Sequence, residues 1–152
     1  ADGVRALDTL PEALRRVIEG KRAIHSARRP YSHEGYRAAG KRTSMKITPN
    51  EDAWQTQDHP IIRTHPESGR QSLFLNPVYT LGIKGMDSDA SSQLLQALFA
   101  HMLHPDFVYQ HRWTENMLIL WDNRTVMHSA QGGYSGYRRV MHRTTVAGSV
   151  PV

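Results

Sequence analysis

The chain has 152 residues, enough for one ordinary domain that buries about two-thirds of its unfolded surface. It carries a net charge of +5 and no cysteine, which excludes disulfides, zinc–thiolate sites, iron–sulfur clusters and cysteine nucleophiles. No apolar run approaches the roughly 20 residues of a membrane span and the N-terminal stretch lacks a secretory pattern, so a cytoplasmic protein with no membrane partner is expected.

The first expected element is a helix over about residues 10–23, with Thr9 and Glu12 at capping-box spacing and Leu10, Leu14, Val17 and Ile18 on one face. A long stretch over about residues 26–58 follows. Between residues 26 and 50 it holds Arg28, Arg29, Arg37, Lys41, Arg42 and Lys46 against Glu34 alone, which accounts for the whole charge excess. Pro30, Gly35, Gly40 and Pro49 make it read as a basic, mobile loop, solvated or covering a ligand. No nucleic-acid partner is expected, because Tyr31 and Tyr36 are its only aromatic residues before residue 50 and no folded platform supports them.

From His59 the pattern turns extended. Ile61 and Ile62, a turn at residues 66–69 and a run over residues 72–80 predict a hairpin. A second helix is expected over about residues 90–103, capped by Asp87 or Ser88, with Leu94, Leu95, Leu98, Phe99 and Met102 as its buried stripe. Strands are then expected at residues 107–113, 117–121, 125–128 and about 137–147. The fold class expected is mainly β with flanking helices, an α+β chain.

Alternation along the last strand places Arg139, Met141 and Arg143 on one face. Two guanidiniums about 13 Å apart on one face repel unless each meets an anion, which points to two acidic ligands or to solvent. Antiparallel pairing of residues 125–128 with the last strand would bring the His128 imidazole and Arg139 into one interior hollow. A bidentate guanidinium suits a carboxylate held in fixed geometry. Each residue also has a plainer reading, since a lone histidine is more often structural, edge arginines are usually solvated and Trp121 suits a core. Spacing alone leaves the function open.

In Trp121-Asp122-Asn123-Arg124, His128, Arg138-Arg139 and His142-Arg143 the chain resembles the taurine dioxygenase family of Fe(II)/2-oxoglutarate oxygenases. The likeness extends through His59-Pro60, Arg63-Thr64-His65-Pro66, Gly69-Arg70 and Leu73-Phe74-Leu75-Asn76 to the Leu-Pro-Glu-Ala-Leu segment near the N-terminus. It implies the C-terminal part of a double-stranded β-helix, or jelly roll, forming a single partial oxygenase domain over residues 1–152. It implies His128 as an iron ligand, Arg139 as the grip on 2-oxoglutarate and Arg143 as the contact to an acidic substrate. Trp121, Val78 and Tyr79 fall in the pocket wall. The implied cofactors are Fe(II) and 2-oxoglutarate, and the implied partners are O2 and a small acid such as a sulfonate, which would be hydroxylated.

An iron site of this kind takes two histidines and a carboxylate, and by the resemblance its His-x-Asp half lies upstream of this chain. Two stretches have a nominal spacing, His65-Pro66-Glu67 in the expected hairpin turn and His104-Pro105-Asp106 after a helix, and neither lies on a strand. The isolated chain is therefore expected to be inactive, and to form a homo-oligomer or associate with the missing N-terminal part. The alternative is a catalytically inactive relative that binds an organic anion through Arg139 and Arg143.

Overall fold

The structure, a computed structural model, describes residues 1–38, 47–134 and 136–152. Helix α1 (Gly3–Asp8) forms because the Asp2 carboxylate accepts from the backbone N–H groups of Val4 at 2.9 Å and Arg5 at 3.1 Å. Thr9, expected to open a helix, closes this one, its hydroxyl donating to the Arg5 carbonyl at 2.8 Å. Helix α2 (Glu12–Ile18) starts after Pro11 without a side-chain cap. Gly20, at φ +67°, adopts the left-handed conformation that ends a helix, and the chain turns into strand β1 (Arg22–Ser26). The single helix expected over residues 10–23 is therefore interrupted by a strand it did not foresee.

The described part of the basic stretch is not an irregular loop. It holds helix α3 (Arg28–Tyr31), helix α4 (His33–Ala38) and a 3-10 turn (Glu51–Trp54), while Lys41, Arg42 and Lys46 lie outside the described residues. Strand β2 (Thr56–Pro60) follows and pairs antiparallel with β1, setting Ala23 opposite His59 and His25 opposite Gln57. Strand β5 (Thr80–Ile83) pairs with the other edge of β1, with a bulge between Ile24 and His25. The expected hairpin forms from β3 (Ile62–Thr64) and β4 (Gln71–Leu73), and Gly69 takes the left-handed position of its turn at φ +69°. The run expected over residues 72–80 divides at Asn76, whose side-chain oxygen accepts from Val78 N–H at 2.8 Å and so starts a turn.

Helix α5 (Ser88–Met102) matches its expectation closely, with Asp87 accepting from Asp89 and Ala90 N–H groups at 3.1 and 2.9 Å. Its inner stripe of Leu95, Leu98 and Met102 packs with Leu7, Ile18, Ala23, Ile61, Leu73 and Ile83 into one core. Ser91 on the same helix accepts from the buried Ile83 N–H at 2.8 Å, which pins the helix to β5.

The C-terminal strands are the main departure. After a 3-10 turn (Pro105–Phe107), the described residues form no ladder beyond one bridge between Asp2 and Val126. Strands exist only with neighbours, and much of the apolar surface there is uncovered: Leu118 and Leu120 are 92% and 94% exposed. The α+β class holds, but helix outweighs strand among the described residues, so the expectation of a mainly β chain is corrected. No helix among the described residues is long and apolar enough to cross a membrane.

Leu98 has no exposed surface and sits at the centre of the core. Truncating it removes buried area and leaves a cavity, so Leu98→Ala lowers the unfolding free energy by about 2–5 kcal/mol, read as a shift in the urea midpoint.

Candidate functional site

The turn that precedes His128 is tied to the β3–β4 hairpin by one polar cluster. His65 lies 7% exposed in the hairpin turn, and its Nδ1 accepts from the N–H groups of Glu67 and Ser68 at 3.3 and 3.1 Å. With Nδ1 accepting, Nε2 carries the proton and donates to the Asp122 carboxylate at 3.0 Å. Arg124 grips the same carboxylate with Nε at 2.9 Å and a terminal nitrogen at 2.7 Å, and reaches Glu67 with its other arm at 2.8 Å. The Arg124 guanidinium holds the Asp122 carboxyl far below the ordinary carboxylate range, the His65 bond adding to the effect against the cost of burial. The same contacts hold Arg124 above its usual value.

From this turn the backbone runs against the N-terminal residues. Gly3 N–H donates to the Thr125 carbonyl at 2.9 Å, and Met127 N–H to the Ala1 carbonyl at 3.0 Å. A side chain at Gly3 would meet the Thr125 and Leu73 carbonyl oxygens at 2.8 and 2.9 Å, so only glycine permits this approach. Residues 125–127 thus pair with the N-terminus rather than with the residues around Arg139, which corrects the pairing expected from the sequence.

His128 itself is exposed, with the Trp121 ring 4.8 Å from its own and tilted by 55°. Its imidazole is held below the ordinary histidine value by partial burial of the ring, then by the positive charges of Arg143 and the Ala1 ammonium. A neutral imidazole is the form that can ligate a metal. Arg143 therefore acts on His128, whereas Arg139 lies over the Tyr134 ring at 4.8 Å. Val78 is exposed at the Asn76 turn, and Tyr79 lines a cavity of about 380 Å³ beside His25 and His59. The charge of Arg143 is felt at the His128 imidazole, and Arg139 stacks on Tyr134.

Sequence reasoning missed the role of His65 and Asp122, although their motifs were both in view. The signal available was the pairing of a histidine in a tight turn with a carboxylate beside an arginine. Both stretches of nominal His-x-acid spacing are occupied structurally. His65 uses both ring nitrogens as described, and His104 caps the 3-10 turn through Asp106 N–H at 3.4 Å. Among the described residues no group of three or more His, Cys, Asp or Glu side chains is placed to hold a metal ion. The described residues do not group the two histidines and one carboxylate that an iron centre of this kind takes.

The chain matches the taurine catabolism dioxygenase TauD, TfdA family over residues 1–145. It belongs to that family. It is 33% identical over 143 residues to the alpha-ketoglutarate-dependent 2,4-dichlorophenoxyacetate dioxygenase of Burkholderia sp. (strain RASC), covering 94% of this chain and 46% of that one. It is 32% identical over 148 residues to the (S)-phenoxypropionate/alpha-ketoglutarate-dioxygenase of Delftia acidovorans, covering 97% and 50%. The crystal structure of AAD-2 in complex with Mn(II) and N-oxalylglycine superimposes with a TM-score of 0.62 at 27% identity, over 82% of this chain and 46% of that one. The chain thus spans about half the length of these TauD/TfdA relatives.

Two outcomes follow from the ionisations. Asp122→Asn loses part of the charge-assisted cluster and destabilises the chain by about 1 kcal/mol near neutral pH, a figure reduced for the solvent screening of this exposed carboxylate. Because the folded carboxyl is depressed, the wild-type advantage over Asp122→Asn is full above about pH 4 and shrinks as pH falls below it, which denaturation at several pH values checks. His25 is pushed down to about 4 by burial, with His59 adding to it. Its unfolded form therefore binds the proton first, and stability falls as pH drops from about 6.5 to 4. His25→Gln makes that slope shallower, as urea midpoints across the same range will record.

Proposed function

We propose that this chain carries the C-terminal share of a 2-oxoglutarate-dependent dioxygenase that hydroxylates a small organic acid, in a jelly roll completed by sequence beyond these residues. The observation that carries the reading is the family match over residues 1–145, which includes the segment holding His128, Arg139 and Arg143. Two relatives are named for phenoxy acids, so the substrate class extended to this chain is a small acid bearing one anionic group. The family implies Fe(II) and 2-oxoglutarate, and in such enzymes the metal supplies the oxidation of substrate by O2 as 2-oxoglutarate is consumed.

The work assigned to this chain's own residues is binding and orientation. His128 offers its imidazole to the metal, the charged form being disfavoured by partial burial and then by the neighbouring cations. Arg139 is the fork for the far carboxylate of 2-oxoglutarate, a planar bidentate contact that a lysine could not reproduce. Arg143, already close enough to act on His128, holds the acidic group of substrate near the metal. Trp121, against the His128 ring, and Val78 and Tyr79 near the Asn76 turn form the apolar wall that excludes water. The exposed apolar residues between 108 and 152 await the partner sheet, either the remainder of the polypeptide or a second chain.

N-oxalylglycine, a stable stand-in for 2-oxoglutarate, tests the assignment by calorimetry on this chain. Binding is expected to weaken about tenfold or more in Arg139→Ala and to recover only partly in Arg139→Lys. Unchanged affinity in Arg139→Ala overturns the assignment. With Fe(II), ascorbate and 2-oxoglutarate, these 152 residues alone are expected to release no succinate, because among the described residues no second histidine and carboxylate are grouped with His128.

A further inference from the structure

Among the described residues three buried side-chain nitrogens have no hydrogen-bond partner: His25 Nε2, His59 Nδ1 and Arg63 Nε. All three belong to side chains packed around one ring, Phe74. The His25 ring stacks on it at 5.9 Å, the His59 ring meets it edge-on at 5.6 Å, and the Arg63 guanidinium carbon lies 4.8 Å over its centre. The two imidazoles are themselves 5.2 Å apart. Unpaired buried polar groups are rare in folded proteins, and three on one ring point to a common cause.

Arg63 is the most demanding of the three. It is 5% exposed, no carboxylate lies within ion-pair range of it among the described residues, and its charge is disfavoured by burial and by Arg124. Asp122 is the carboxylate that acts on it, and that carboxylate is already taken by His65 and Arg124. A buried guanidinium without a counter-ion is costly, and its planar fork matches the two oxygens of a carboxylate. Burial disfavours the charged form of both imidazoles, so they suit the role of N–H donors that add no positive charge. One buried guanidinium with uncharged donors suits a monoanion better than a phosphate dianion, the exposed Arg22 nearby being engaged with the Asp58 carbonyl. Both imidazoles, though not Arg63, line the cavity of about 380 Å³ whose wall includes Gln55, Gln57, Asn76 and Tyr79.

We infer that Arg63, His59 and His25, arranged around Phe74, form a second anion site that binds one carboxylate through residues other than Arg139 and Arg143. The carboxylate can come from a free small acid or from an Asp, Glu or C-terminal group of another polypeptide segment. The recognition chemistry is the same in both cases.

Sodium acetate is the probe for the first source. In an NMR titration of the isotope-labelled chain at constant ionic strength and pH, acetate is expected to shift the Arg63 Nε–H and His59 Cε1–H signals saturably, while chloride does not. Arg63→Gln is expected to weaken binding about tenfold, and His59→Gln to weaken it by less. If Arg63→Gln fails to fold, Arg63→Lys, which keeps the charge and loses the fork, is expected to bind several-fold more weakly. For the second source, the same signals are followed across protein concentration without acetate, beside sedimentation velocity. A concentration-dependent shift that acetate reverses places the carboxylate on another chain, and a shift with acetate alone places it on a small acid. Signals that move in neither arm, acetate binding unchanged in Arg63→Gln, or tighter binding of inorganic phosphate than of acetate overturns the inference.

Discussion

The hydrogen bond from His65 to Asp122, with the Arg124 fork closing on the same carboxylate, is the constraint on which the arrangement of this molecule depends. It joins two stretches 57 residues apart, a tight hairpin turn and the turn before His128, without any apolar contact having to do so. The hairpin's tautomer follows from its own backbone: two N–H groups aimed at Nδ1 leave Nε2 as the donor, and a donor needs the acceptor that Asp122 provides. Once that turn is held, residues 125–127 are delivered to the N-terminal residues, and His128 comes to rest beside Trp121 and within reach of the charge on Arg143.

The chain is uneven in how firmly its parts are held. Helices α1, α2 and α5 and the two small sheets share one apolar core, while the described residues beyond 108 lie largely on the outside with their alternating apolar side chains exposed. Burial supplies most of the free energy of folding, so the C-terminal segment has little to hold it beyond the clamp and the N-terminal bridge. That segment also carries the residues proposed here for metal and acid binding. Tight positioning of such residues needs a surrounding shell, and the shell here is only partly supplied by this chain, which spans about half of its relatives. The unpaired cluster around Phe74 is a second sign of the same incompleteness, with donors in place and acceptors lacking.

Much of this was legible beforehand where local signals act alone. Helix α5 follows from Asp87 as a cap and a 3.6-residue stripe, and the hairpin from two short apolar runs around a glycine-bearing turn. The first helix was misjudged because its apolar spacing continues past Gly20, whose left-handed conformation ends it and releases β1 into the middle of a sheet. The expected C-terminal strands were misjudged for a different reason: alternation in Phe107–Trp113 and around Arg139 marks a sequence fit for pairing, and pairing depends on a neighbour that alternation cannot supply. The site was read from its motif, and the family match spans the segment that holds it. What the motif could not convey was the partner of His65, or the stacking of Arg139 on Tyr134, both of which depend on contacts between distant parts of the chain.

His128 is the histidine we propose as a metal ligand. Mn(II) added in substoichiometric amounts to the labelled chain, with the histidine Cε1–H signals followed for paramagnetic broadening, addresses it directly. Broadening that begins at His128 and is weakened in Asp122→Asn, where the turn is no longer clamped, is the predicted result. Broadening that begins at His104 or His65, or that leaves His128 sharp while other histidines fade, contradicts it.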